Sequence, residues 1–164
     1  MEDDRREIGM NEGFMKLAIN EARKNIKSMT GGPFGACIVK NGRVIAVSRN
    51  TVLKNDATCH AEINAIRAAS RKLGKYDLSG CVIYSTTEPC PMCFSAIHWA
   101  RIKTIIFGTR TSDAKKIGFN ELNIPAAKLA SMGKLKIKIT GGVLLDECWK
   151  LFYDWSAVKN RKLY

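Results

Sequence analysis

The order in which short apolar runs and helical periodicities follow one another constrains this fold more than any other feature of the sequence. Two apolar runs, 36–39 and 43–47, flank the pair Asn41-Gly42. Asn-Gly supplies the two positive-φ residues of a tight hairpin turn, so these runs predict neighbouring antiparallel strands. A polar loop, 50–58, follows, and then the period changes. Ile63, Ile66 and Leu73 recur at helical spacing from near His60, and Gly74 marks the stop. From there strand and helix alternate: a strand at 81–85, a helix at about 90–100, a strand at 103–107, a short helix near 126–131, a strand at 135–139 and a last amphipathic helix at about 145–158. An opening helix at about 11–27, N-capped by Asn11, places Phe14, Leu17, Ala18, Ala22 and Ile26 on one face. A hairpin followed by strand–helix alternation predicts an α/β fold, a three-layer α/β/α sandwich around a five-stranded mixed sheet. In such sheets sites gather where strands give way to helices.

The length of 164 residues suits one domain, 1–164, with one sizeable core. No stretch approaches the roughly 18 apolar residues that span a bilayer, and residues 1–7 are charged rather than apolar, so a cytoplasmic enzyme with no membrane partner is expected. Cys37, Cys59, Cys81 and Cys148 sit among apolar residues without framework spacing and read as buried thiols. The net charge of +12 leaves a nucleic-acid partner open. Part of it has a plainer origin, since Lys134, Lys136 and Lys138 alternate with Leu135, Ile137 and Ile139 as the wet face of a strand.

Two segments carry the chemistry. Thr58-Cys59-His60-Ala61-Glu62 contains His-x-Glu, and Pro89-Cys90-Pro91-Met92-Cys93 contains Pro-Cys-x-x-Cys. Either half alone is weak: His-x-Glu is frequent by chance, and Cys-x-x-Cys serves redox pairs and structural zinc sites as well. Together, each opening a helix, they predict a catalytic zinc. Cys90 and Cys93 are spaced to aim both sulfurs at one point at a helix start, where the dipole and free amides favour thiolates. Pro91 fits the first turn, where no intrahelical donor is lost. His60 adds a neutral nitrogen. Three protein ligands leave a fourth position for water, as a catalytic zinc requires. A structural zinc would need another ligand; His98, the only other histidine, lies two turns along the same helix and reads as a packed or interface residue.

Glu62 is not needed as a ligand. It stands in the first turn, leaning back toward the metal. Zinc lowers the pKa of bound water to about 7. Glu62 is expected to take the attacking water's proton, pass it to a ring nitrogen, and then help protonate the departing amine, acting first as base and then as acid. The paired signature is that of zinc deaminases acting on nucleobases.

On these motifs the sequence resembles the cytidine-deaminase-like superfamily, from Phe14 to Tyr164. Two branches compete. Gly31-Gly32-Pro33-Phe34-Gly35-Ala36, Ala96-Ile97-His98-Trp99-Ala100-Arg101, Ile117-Gly118-Phe119-Asn120-Glu121 and the basic tail ending in Tyr164 are similar to bacterial-type guanine deaminases. That resemblance implies conversion of guanine to xanthine and ammonia, one zinc per subunit, and a homodimer whose C-terminal segment, about 145–164, is exchanged between subunits and closes over the site. Asn50, Ala61-Glu62-Ile63, Arg101-Ile102, Phe107-Gly108 and Asp146-Glu147-Cys148 are shared with tRNA adenosine deaminases. The stretch Gly108-Thr109-Arg110-Thr111-Ser112-Asp113 departs from that branch's usual loop, so a free purine base leads and tRNA stands second. Glu121 where some relatives carry Asp, and Asn120 in place of an acidic neighbour, leave guanosine or cytosine open.

The resemblance also distributes the substrate contacts. Asn50 resembles the asparagine that binds the base, an amide able to donate and accept at once. Phe34 stacks on the ring or fills core. Ala61, between His60 and Glu62, counts with the binding residues. Trp99 is a pocket-wall or interface residue. Glu121 reads the N–H edge or shuttles a second proton, beside Glu62 as a second catalytic carboxylate. Tyr164 caps the pocket if the tail is ordered.

Overall fold

The computed structural model describes residues 11–164; the charged stretch at 1–7 lies outside the described residues. Asn11 caps α1 (Glu12–Arg23), its side chain accepting the Gly13 N–H at 2.8 Å, and Met15, Ala18, Ile19 and Ala22 form the buried face. The single helix expected over 11–27 is interrupted at Lys24. One further turn, α2 (Asn25–Ser28), ends with Met29 in the left-handed region. The interruption has a cause in Asn25, which is fully buried and gives its amide N–H groups to the backbone carbonyls of Gly32 (2.8 Å) and Asn50 (2.7 Å).

Strands β1 (Gly35–Lys40) and β2 (Arg43–Arg49) form the expected hairpin. Asn41 (φ 49°) and Gly42 (φ 71°) take the positive dihedrals that the turn demands. Next come α3 (Ala61–Leu73), β3 (Cys81–Thr87), α4 (Pro91–Trp99), β4 (Thr104–Thr109), α5 (Thr111–Lys116), α6 (Ala126–Met132), β5 (Lys138–Thr140) and α7 (Leu145–Ser156). The sheet order is β2-β1-β3-β4-β5, with β1 antiparallel to both neighbours and β3, β4 and β5 mutually parallel. It is the mixed five-stranded sheet expected.

Two differences stand out. Helix α5 had no counterpart in the sequence reading, because six residues are too few to show a period. Strand β5 pairs only over Lys138–Thr140, although the alternation of exposed lysines and half-buried Leu135, Ile137 and Ile139 extends further back. The alternation reports burial against the sheet, whereas the ladder needs a hydrogen-bonded partner.

Alternate residues of the central strands feed the two cores. Ile38, Ile83 and Ile105 face α3, α4 and α6 through Ala65, Ile97 and Ala126. Cys37, Tyr84 and Ile106 face α1 and α7 through Met15, Ala18 and Leu151. A third cluster, Ala114, Phe119, Phe152 and Trp155, joins α5, the following loop and α7 beside the sheet. Cys37, Cys59, Cys81 and Cys148 are all buried free thiols, and burial pushes Cys37 and Cys148 up to about 12. Among the described residues, no helix is long and apolar enough to cross a membrane.

Candidate active site

His60 and Cys90 occupy equivalent positions. Each is the N-cap of its helix, with extended backbone, and neither spends its side chain on capping. Both side chains are therefore free to turn toward each other across the ends of β1 and β3. Pro91 and Met92 carry the chain into α4, and Cys93 brings its sulfur back to the same point. The ligand atoms of His60, Cys90 and Cys93 all lie within 4.8 Å of one another, with His60 Nδ1 3.6 Å from Cys90 Sγ and 3.5 Å from Cys93 Sγ. A tetrahedral zinc with its usual bonds to sulfur and nitrogen sets such edges at about 3.6 Å. The donor set and its spacing fit zinc.

The electrostatics agree. The Cys93 S–H bond, outweighing burial and helped by His60, holds Cys90 down at about 4, while burial drives Cys93 well above the ordinary thiol value. Cys90 is thus disposed to offer a thiolate to a cation. Burial would lower His60, but its contacts with Cys90 and the charge of Glu62 raise it. Glu62, in the first turn of α3, is 6% exposed, and burial raises its carboxyl. Ser85 Oγ, from β3, donates to Glu62 Oε1 at 3.0 Å, and Cys93 Sγ lies 3.5 Å from Oε2.

A cavity of about 270 Å³ opens onto this group, lined among others by Phe34, Asn50, His60, Glu62, Cys90, Phe119, Glu121 and Tyr164. That is small beside the roughly 300–1,000 Å³ of drug-sized ligand sites. Asn50 is 1% exposed. Its Oδ1 accepts from Val52 N–H at 3.0 Å and from the Tyr164 hydroxyl at 2.7 Å, which fixes the amide's orientation. The same hydroxyl accepts from Gly32 N–H at 2.7 Å. Tyr164 is thus stapled to two points of the rim, and the Asn120 N–H holds its main-chain oxygen at 2.9 Å. Among the described residues Asn50 Nδ2 has no partner, which leaves a donor in the cavity wall. Glu121 is pushed up to about 7 by burial first, with the Cys90 charge adding to it. The Phe119 ring stands edge-on to Phe34 at 4.9 Å and to Tyr164 at 5.4 Å.

Residues 9–109 match the model of the cytidine and deoxycytidylate deaminase zinc-binding region. The chain belongs to that family. A guanine deaminase of Bacillus subtilis (strain 168) is 46% identical over 154 residues, 93% of this chain and 98% of that protein. A tRNA-specific adenosine deaminase of Buchnera aphidicola subsp. Schizaphis graminum is 35% identical over 131 residues, 79% of this chain and 82% of the other. Among solved structures, a guanine deaminase from Nitrosomonas europaea superposes with TM-score 0.80 at 30% identity, covering 90% of this chain and 85% of the other. A protein solved in complex with 8-azaguanine superposes with TM-score 0.82 at 31% identity, with the same two shares covered.

This chain is a zinc-dependent deaminase, a hydrolase, and the ligand atoms of its His/Cys/Cys group meet as the family's zinc requires. Of the residues singled out in the sequence, Phe34, Asn50, His60, Glu62, Cys90, Glu121 and Tyr164 line one cavity, and Cys93 stands directly behind it. Ala61 is fully buried as the first residue of α3 and does not line the cavity. Trp99 is not brought there either. It is 77% exposed at the far end of α4, with the His98 ring 6.0 Å away, and His98 is not part of the group whose ligand atoms meet. Sequence reasoning missed three residues that support or line this site. Ser85, which holds Glu62, is a small polar residue inside an apolar strand. Glu88 lines the cavity beside Pro89-Cys90 and is 5% exposed, and a lone carboxylate before a proline gives no local sign of burial. Asn25 ties the carbonyls of Gly32 and Asn50, a long-range role with no local pattern.

Proposed function

We propose that this deaminase acts on free guanine, producing xanthine and ammonia. The closure of the tail carries the reading. Tyr164, stapled to Asn50 and Gly32, closes one side of a cavity of about 270 Å³ that has room for a bare ring, and an ordered tail there crowds a ribose–phosphate strand. The Bacillus subtilis relative matches over 93% of this chain and 98% of its own length. The guanine analogue 8-azaguanine in a structural neighbour supports the same ring class. The similarity to tRNA deaminases and the +12 charge favour tRNA as the second reading, and the ordered tail weighs against it.

Zinc held by His60, Cys90 and Cys93 supplies a Lewis acid that makes water nucleophilic at neutral pH. Glu62 moves the protons. Its carboxylate takes one from the attacking water as the oxygen bonds to the ring carbon bearing the amino group, and places it on the adjacent ring nitrogen. It then carries the new hydroxyl's proton to the amino group, the C–N bond breaks, and ammonia leaves. Ser85 steadies one oxygen of Glu62 throughout. Asn50 donates through Nδ2 alone, because its oxygen is already committed within the protein. Glu121 accepts from the ring's N–H edge, and Phe34 and Phe119 wall its faces. Trp99, exposed beside His98, fits an interface between the subunits of a homodimer better than the pocket. Exchange of segment 145–164 between such subunits keeps every tail contact, with the partner's tail in place of the chain's own.

Ammonia release from guanine, guanosine, cytosine, adenine and tRNA, measured side by side on zinc-loaded protein, tests the reading. Guanine is expected to lead in kcat/KM by about a hundredfold or more. Turnover of tRNA alone would overturn the substrate and leave the chemistry standing.

A further inference from the structure

The loop that carries Glu121, residues 117–125, hangs between the short helices α5 and α6. Helix α6 has no side-chain cap of its own, and at α5 the local carboxylate, Asp113, takes the Arg110 N–H at 2.9 Å and leaves the helix's first amide to another partner. Arg110 and Pro125 hold the N-cap positions, and neither gives a side-chain hydrogen bond there. The first amide of each helix is taken instead by a single carboxylate from another part of the chain. Thr111 N–H donates to Glu88 Oε2 at 3.3 Å, and Ala126 N–H donates to Glu88 Oε1 at 2.9 Å. The Thr111 hydroxyl adds a longer contact to Oε2 at 3.5 Å. Glu88 follows the last residue of β3, its own N–H bound to Thr109 O at 2.7 Å, and it is 5% exposed. No cationic side chain pairs with it among the described residues. Two helix starts, with their free amides and positive dipole ends, replace the missing cation.

A buried carboxylate is a costly way to cap helices that a Ser or Asn at 110 and 125 could cap one at a time. What those separate caps would lack is the tie. With one oxygen on each helix, Glu88 fixes both ends of the Glu121 loop to the backbone that leads directly into Cys90. We infer that Glu88 is a positioning residue for the deamination: it sets the distance between the group that reads the base and the metal end of the cavity. The inference rests on the reading of Glu121 as a substrate contact.

Glu88→Gln keeps the size of the side chain but has one acceptor oxygen, and its amide N–H group would face a helix N–H. One helix is released. Glu88→Asp keeps both acceptors on a shorter arm and guards against a Gln variant that does not fold. The measurements are zinc content, guanine kcat and KM, and hydrogen exchange across residues 111–126. Glu88→Gln is expected to retain zinc and to speed exchange across 111–126 about tenfold with the rest of the chain unchanged. KM should rise about tenfold with kcat altered far less, and Glu88→Asp should fall between. Combined with Glu121→Gln, the two KM effects should be less than multiplicative. Unchanged exchange at 111–126, loss of zinc in place of the KM rise, or multiplicative effects would each overturn the inference. If the wild-type protein leaves guanine untouched, the guanine reading fails by itself, and exchange at 111–126 still decides whether Glu88 holds the loop.

Discussion

Replacing Tyr164 with Phe removes one oxygen atom and leaves the ring. That oxygen accepts from Gly32 N–H and donates to Asn50 Oδ1, each at 2.7 Å. Each bond contributes about 1 kcal/mol net, so the closed tail loses about 2 kcal/mol. The remaining anchors are untouched. Phe119 keeps its edge contact with the ring at 5.4 Å, and Asn120 N–H keeps the terminal oxygen at 2.9 Å. Asn50 keeps Val52 N–H, so its amide holds its orientation but loses one of two restraints. The tail is loosened rather than lost. If the base binds only under a closed tail, about 2 kcal/mol appears as a rise in KM of roughly thirtyfold. kcat changes less, because His60, Cys90, Cys93 and Glu62 take no hydrogen bond from Tyr164. Steady-state guanine loss followed by ultraviolet absorbance, with zinc content as control, measures both constants. A KM within twofold of wild type would refute the claim that the hydroxyl staple prepares the pocket.

Three further outcomes follow from the same geometry. Glu62→Gln should retain zinc and lose turnover by about 10²–10⁴-fold, read from ammonia release on metal-assayed protein; full activity would remove Glu62 from the proton path. His60→Ala should bind zinc far more weakly than wild type in a chelator competition, and equal retention would show that His60 is not a ligand. Glu21 accepts from Lys24 at 2.6 Å and Arg49 at 2.7 Å, and although burial pushes its carboxyl up, these two cations hold it below the ordinary glutamate range. Its stabilisation is therefore present at neutral pH and lost as pH falls through that lowered value. Glu21→Gln should melt earlier than wild type at pH 7 and converge with it in acid, and a constant gap would contradict the assignment.

What could be read in advance was what local sequence encodes. The turn at Asn41-Gly42 needs two positive φ angles, and those residues announce it. His60, Glu62, Cys90 and Cys93 were legible because each pair lies within one turn of a helix start and the two pairs together form a known signature, although only the fold brings the pairs to one point. The mixed five-stranded sheet followed from the hairpin and the alternation of periods, while the order of its strands did not. The unread residues act at a distance. Glu88 caps two helices that begin far along the chain, Asn25 reaches the carbonyls of Gly32 and Asn50, and Ser85 meets Glu62 only once β3 lies beside α3. Trp99 was the converse case. A motif-like position on α4 suggested the pocket, but the helix turns that side chain outward. Asn50 was legible as a contact and not in its polarity, since only the fold reveals that Val52 and Tyr164 consume its oxygen.

The central claim is hydrolysis of guanine at the zinc group, with water as the nucleophile. Turnover in ¹⁸O-labelled water, with xanthine analysed by mass spectrometry and ammonia counted in parallel, tests it most directly. One labelled oxygen in each xanthine and one ammonia per xanthine formed are expected in zinc-loaded protein and not after chelation. Xanthine without label, or guanine recovered unchanged from protein with its zinc in place, would contradict it.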